Sequence, residues 1–157
     1  MTDPVENNIL LAQLTRIANA LERQSPPPPD ASRLPRAEAY VWDSASRNLA
    51  AITSVNRLDL ALLCGIDHQR DALLGNSRAF ATGLSANNAL LWGARGTGKS
   101  SLVKAVHGAL CAEGLDCGLV EIHREDIADL PLLMGFLAKV ARQFIVFSDD
   151  LAFEQGE

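Results

Sequence analysis

A chain of 157 residues that is 48% hydrophobic, 21% charged and 5% aromatic holds enough apolar material for one domain with a core. It is too short for two full domains and too apolar for a mainly disordered polymer. Fourteen basic against nineteen acidic residues leave a net charge of -5, which argues against non-specific binding to nucleic acid or to a membrane surface. No uncharged apolar run reaches the roughly 18 residues of a membrane span. The start, Met1-Thr2-Asp3-Pro4-Val5-Glu6, lacks the basic and apolar stretches of a signal peptide, so a cytoplasmic location is expected.

Residues 5–24 read as an amphipathic helix, because Leu10, Leu14, Ile17 and Leu21 recur at a 4-3-4 spacing that aligns them on one face. Such a helix either docks on its own domain or pairs with a second copy. Ser25-Pro26-Pro27-Pro28-Pro29-Asp30 ends it, since four prolines offer no backbone donors and favour an extended, semi-rigid spacer. Residues 31–56 are mixed in character, with Tyr40, Val41 and Trp42 expected to be buried. The segments divide as residues 1–24, residues 25–56 and a domain from residue 57 to residue 157.

From residue 57 the pattern is regular. Leu58, Leu60, Leu62 and Leu63 are helix-compatible, Gly65 interrupts them, and Asp67 is placed to cap a helix over 68–83 that buries Leu73, Leu74 and Phe80. Asn87 and Asn88 mark a turn. Ala89-Leu90-Leu91-Trp92 is fit for a strand covered on both faces. A helix to about Glu113 follows, burying Leu102, Val103, Val106 and Leu110 and ending at Gly114. Residues 118–122 read as a second strand and 125–140 as helical, with Pro131 at a break or a fresh first turn. Phe144-Ile145-Val146-Phe147 reads as a third strand. This β-α-β-α-β order predicts an α/β fold with a parallel sheet flanked by helices.

Between the first of these strands and its helix lies Gly93-Ala94-Arg95-Gly96-Thr97-Gly98-Lys99-Ser100, a full match to G-x-x-x-x-G-K-[ST]. The three glycines permit dihedrals that side chains forbid, so successive N–H groups can turn inward as a nest for phosphate oxygens. The helix N-terminus adds free donors and a partial positive charge. Lys99 is expected on the β- and γ-phosphates, Ser100 on Mg²⁺, and Ser101 continues the cradle into the helix. Arg95 stands inside the loop, where it adds charge near phosphate or pairs with an acid. Beyond the third strand, Ser148-Asp149-Asp150 brings two acids to the sheet edge where the loop also belongs. Asp149 is the candidate metal-side carboxylate, and Asp150 the candidate that polarises the attacking water. Cys64, Cys111 and Cys117, and likewise His68, His107 and His123, lack metal-ligand or disulfide spacing and read as structural.

Residues 57–157 resemble an uncharacterised bacterial family of AAA-type P-loop ATPases. The resemblance is carried by the run Leu90-Leu91-Trp92-Gly93-Ala94-Arg95-Gly96-Thr97-Gly98-Lys99-Ser100-Ser101 and by Ser148-Asp149-Asp150-Leu151-x-Phe153-Glu154, with lesser matches at Gly65-Ile66-Asp67-x-Gln69 and 76–84. It implies ATP binding, Mg²⁺-dependent hydrolysis, homo-oligomers formed through the AAA-type domain, and an adenine lying near Gly65 and Ile66. In that family the second acid is usually Glu, where Asp150 stands here. The resemblance also puts a later strand between the loop-bearing strand and the acid-bearing strand, and places the sensor residue, the arginine finger and the helical lid after residue 157. On that basis the chain reads as a domain truncated after its Walker B strand, of low stability and weak hydrolysis. Two other readings share the loop: a nucleotide-switched interaction module without turnover, and a small-molecule kinase. Phosphate release without an acceptor separates ATPase from kinase.

Overall fold

The computed structural model describes residues 4–24, 31–94 and 96–149. Arg95, Asp150 and the tetraproline run lie outside these residues, and so do the expectations placed on them. Helix α1 spans Pro4–Gln24. A four-stranded sheet follows, built from β1 (Ala39–Asp43), β2 (Asn48–Ile52), β3 (Cys117–Glu121) and β4 (Gln143–Phe147) in the spatial order β2-β1-β3-β4. Strands β1 and β3 are parallel, as are β3 and β4, whereas β1 and β2 form an antiparallel hairpin. The sheet is therefore mostly parallel and not wholly so.

The hairpin occupies the segment that the sequence leaves as mixed. Its turn is fixed by Asp43, whose carboxylate accepts from the Ala45 amide at 3.0 Å and from the Ser46 hydroxyl at 2.6 Å. The hydroxyl contact holds the Asp43 carboxyl below its usual range. Tyr40 and Trp42 are each 1% exposed, as expected, while Val41 is half-buried.

Register assigns the two faces of the sheet. Tyr40 opposes Val120, which opposes Val146, and this face packs on α4 (Leu130–Leu137) through Leu133, Phe136 and Leu137. A 3₁₀ turn over Arg124–Asp129 leads into α4, and Pro131 sits in its first turn, where the missing N–H has no partner to lose. Residues of opposite parity, Cys117, Leu119 and Glu121, face α3 (Lys99–Ala112). There the Lys104 ammonium lies 3.2 Å from Glu121 and 5.5 Å from the centre of the Phe147 ring. Leu102, Ala105, Val106 and Leu110 of α3 are buried, whereas Val103 is only half-buried. Helices on both faces of a mostly parallel sheet make a three-layer α/β domain.

Helix α2 (Asp67–Ala81) packs on α3, and the Arg78 guanidinium joins the two through both carboxylate oxygens of Glu113, Nε to Oε2 at 2.8 Å. Gly83 and Gly114 close α2 and α3 in the same way. Each glycine has φ near +80°, and the amide after it reaches back to the Ala79 or Leu110 carbonyl, at 2.9 and 3.1 Å.

Several expectations need correction. Residues 89–92 are not a strand: they join no ladder, and Trp92 is 88% exposed. An apolar run makes a strand only when a neighbour supplies hydrogen bonds, and among the described residues β4, the edge strand on that side, pairs only with β3. Leu60–Leu62 form a short 3₁₀ turn capped by Asp59, and residues 58–63 make no α-helix. Asp67 does not cap α2: it is the first helical residue and pairs with Arg70 at 2.7 Å. Leu73, Leu74 and Phe80 are half-buried, and Ser77 is the buried residue of α2.

Candidate phosphate-binding site

Three glycines shape the loop before α3. Gly93, Gly96 and Gly98 have φ of +144°, +77° and +83°. No atom stands within 4 Å of a Cβ added at Gly96 or Gly98, so what excludes a side chain at these two positions is the left-handed backbone and not lack of space. Gly98 is the N-cap of α3 and offers no side-chain cap, which leaves the first amides of the helix as open donors. The first helical bond, from the Leu102 amide to the Gly98 carbonyl, is 2.8 Å long. The loop is closed on itself by the Thr97 hydroxyl, which donates to the Ala94 carbonyl at 2.9 Å.

The Lys99 side chain folds back over this loop. Its ammonium donates to the carbonyls of Gly93 at 3.1 Å and Ala94 at 2.9 Å. That position is the mouth of the nest, where the charge adds to the helix N-terminus.

A cavity of about 980 Å³ opens between residues 88–93 and the outer edge of β4. Its wall contains Lys99 and Ser100 from the start of α3, together with Ser148 and Asp149 from the C-terminal end of β4. Of the residues singled out from the sequence, Gly93, Lys99, Ser100 and Asp149 share this wall. Ala94, Gly96, Thr97 and Gly98 belong to the adjoining loop, and Ser101 follows within α3. Asp150 and Arg95 lie outside the described residues.

Two polar wall residues, Arg124 and Ser148, were given no role from the sequence. Arg124 stands three residues beyond β3, as Asp149 stands two beyond β4, and a basic residue soon after an apolar strand was the available signal. Ser148 carries a buried hydroxyl with no hydrogen-bond partner among the described residues, a group that burial leaves in want of one. Asn76 of α2 was also missed. Its side-chain amide exchanges two hydrogen bonds with the Asn87 backbone, at 2.8 and 2.9 Å. A side chain thus does for residue 87 what a neighbouring strand would do, and it holds the lead-in to the loop beside α2.

The buried His107 lies away from this cavity. Its Nε2 donates to the Cys117 carbonyl at 3.0 Å, and Cys111 Sγ is 3.6 Å from the same nitrogen. Burial lowers the His107 pKa, raises that of Cys111 and pushes Cys117 up to about 11. Such thiols remain protonated near neutral pH and are poor nucleophiles.

The model of the family described as "Protein of unknown function (DUF815)" matches residues 35–157. The chain belongs to this family. The DUF815 match takes in the β1–β2 hairpin as well as the loop and β4. No curated protein matches the chain, and no solved structure does. Among the described residues no helix is long and apolar enough to cross a membrane, and no group of three or more His, Cys, Asp or Glu side chains is placed to hold a metal.

Proposed function

We propose that this chain binds ATP with Mg²⁺ at the Gly93–Ser100 loop, and that the protein to which it belongs is a P-loop ATPase of the AAA type. One observation carries the reading. The complete G-x-x-x-x-G-K-S run forms a loop of three left-handed glycines that leads into a 14-residue helix, and its Lys99 and Ser100 share a cavity wall with Asp149.

The donors suit the ligand. Loop amides and the first amides of α3 would cradle the phosphate oxygens, and the Lys99 ammonium would exchange its two loop carbonyls for the β- and γ-phosphates. The Ser100 hydroxyl and the Asp149 carboxylate are hard oxygen donors of the kind Mg²⁺ takes alongside phosphate and water. When bound, the ion neutralises charge that develops on the transferring phosphoryl group. Asp150 would polarise the attacking water. Its carboxylate is one methylene shorter than the usual Glu, which supports slow turnover.

The AAA-type assignment rests on the L-L-W-G-A-R-G-T-G-K-S-S and S-D-D-L-x-F-E runs. The cavity supports it, because it lies between residues 88–93 and β4, where the resemblance puts a further strand.

Titration of the chain with a fluorescent ATP analogue and Mg²⁺ tests the proposal. Saturable binding is expected, with a loss of at least about 30-fold in Lys99→Ala, the worth of about 2 kcal/mol from charge-assisted bonds. No saturable uptake, or equal binding by Lys99→Ala, would exclude the loop as the site. Phosphate released without an added acceptor is the expected mark of ATPase over kinase.

A further inference from the structure

We propose that α1 is a self-association element that pairs with α1 of a second copy of this chain. The proposal does not depend on nucleotide binding. Leu10, Leu14, Ile17 and Leu21, with Ile9 and Leu11 beside them, are 55–65% exposed. The globular part therefore leaves this face uncovered.

The pattern selects the occupant. A 4-3-4 spacing is the period that keeps a seam facing one partner helix. With Leu14 and Leu21 at a and Leu10 and Ile17 at d, the charged residues Arg16, Glu22 and Arg23 fall on the outer b and c positions. Two copies thus meet along the seam without like charges opposed. Asn7 falls at a and Gln24 at d, so both ends of the seam carry polar residues that can hydrogen-bond across a pair. The helix as a whole carries two acidic and two basic residues, Glu6, Arg16, Glu22 and Arg23, and so lacks the basic excess of a helix that lies on anionic lipid.

Fewer than three heptads make the pairing weak. Sedimentation equilibrium of the full chain from ~2 to ~300 µM, a range suited to micromolar association, should show a mass that climbs from 16.8 kDa toward twice that value. The Leu14→Glu/Ile17→Glu double variant should stay at the one-chain mass, with the near-ultraviolet dichroism of buried Trp42 unchanged. Asn7→Ile should strengthen association by about tenfold, because a polar seam layer is held at the expense of affinity. A wild-type chain that remains at one-chain mass throughout overturns the proposal. So does a double variant that associates as the wild type does, since association then lies elsewhere, for example at exposed Trp92.

Discussion

Tyr40 offers the most direct test of how the sheet domain is held together. Its ring is 1% exposed and meets Phe144 edge-on, with centroids 6.0 Å apart. Its hydroxyl donates to the Pro35 carbonyl at 2.8 Å and accepts from the Ala37 amide at 2.8 Å and from Arg142 at 3.2 Å. The hydroxyl therefore pins the chain entering β1, while Arg142 reaches the same place from the approach to β4. Tyr40→Phe keeps the ring and removes only these bonds. Arg142 retains the Ala37 carbonyl at 2.6 Å and Asp116 at 2.8 Å, so its loss is small. The Pro35 and Ala37 bonds contribute about 1 kcal/mol each, or about 2 kcal/mol together. For a chain of this size that corresponds to a fall of about 4–8 °C in Tm. Urea unfolding followed by Trp42 fluorescence should show a midpoint lower by about 1 M at unchanged slope. Tyr40→Ala, which also empties the ring site, should lose about 3–5 kcal/mol. If Tyr40→Phe unfolds with the wild type, the hydroxyl is not a structural node. If it loses as much as Tyr40→Ala, ring packing is not what the larger variant measures.

Two further expectations follow from buried groups. Burial lowers the His107 pKa, so the folded state holds this imidazole neutral while the unfolded chain takes up a proton below about pH 6.5. Stability should fall as pH drops below about 6.5, by at most about 1.4 kcal/mol per pH unit from this group; unfolding titrations between pH 5 and 7, a window set by the reference pKa of histidine, should show the slope reduced in His107→Gln. At Gly118, an added Cβ would stand 2.7 Å from two carbons of the Phe144 ring. Gly118→Ala should therefore cost about 1–3 kcal/mol by overpacking, and a thermal melt equal to wild type would show that the ring moves aside freely.

How much of this was legible in advance differs from element to element. Strands β3 and β4 were found within a residue of their ends because each centres on a short apolar run. The Gly93–Ser100 loop was legible because its glycines, lysine and serine occur at a spacing with its own chemical logic. The β1–β2 hairpin was not read as a hairpin. Its turn, Ser44-Ala45-Ser46-Arg47, contains no glycine and uses Arg47 at φ +50° with an Asp43 side-chain bridge, a signal too diffuse to separate from a loop. The run 89–92 misled in the opposite direction, having the composition of a strand without a neighbour to pair with.

Sequence alone thus determined the local chemistry: helix periods, the glycine stop at Gly114, and the glycine-rich loop that leads into α3. Those features depend on neighbours a few residues away along the chain. Tertiary structure decided what depends on distant partners: that the hairpin completes the sheet, that Asn76 and not a strand holds residue 87, and that Lys99, Ser100, Ser148 and Asp149 share one wall. A backbone hydrogen bond across a sheet joins residues such as Tyr40 and Val120, eighty positions apart, and no local pattern records which distant segment will supply it.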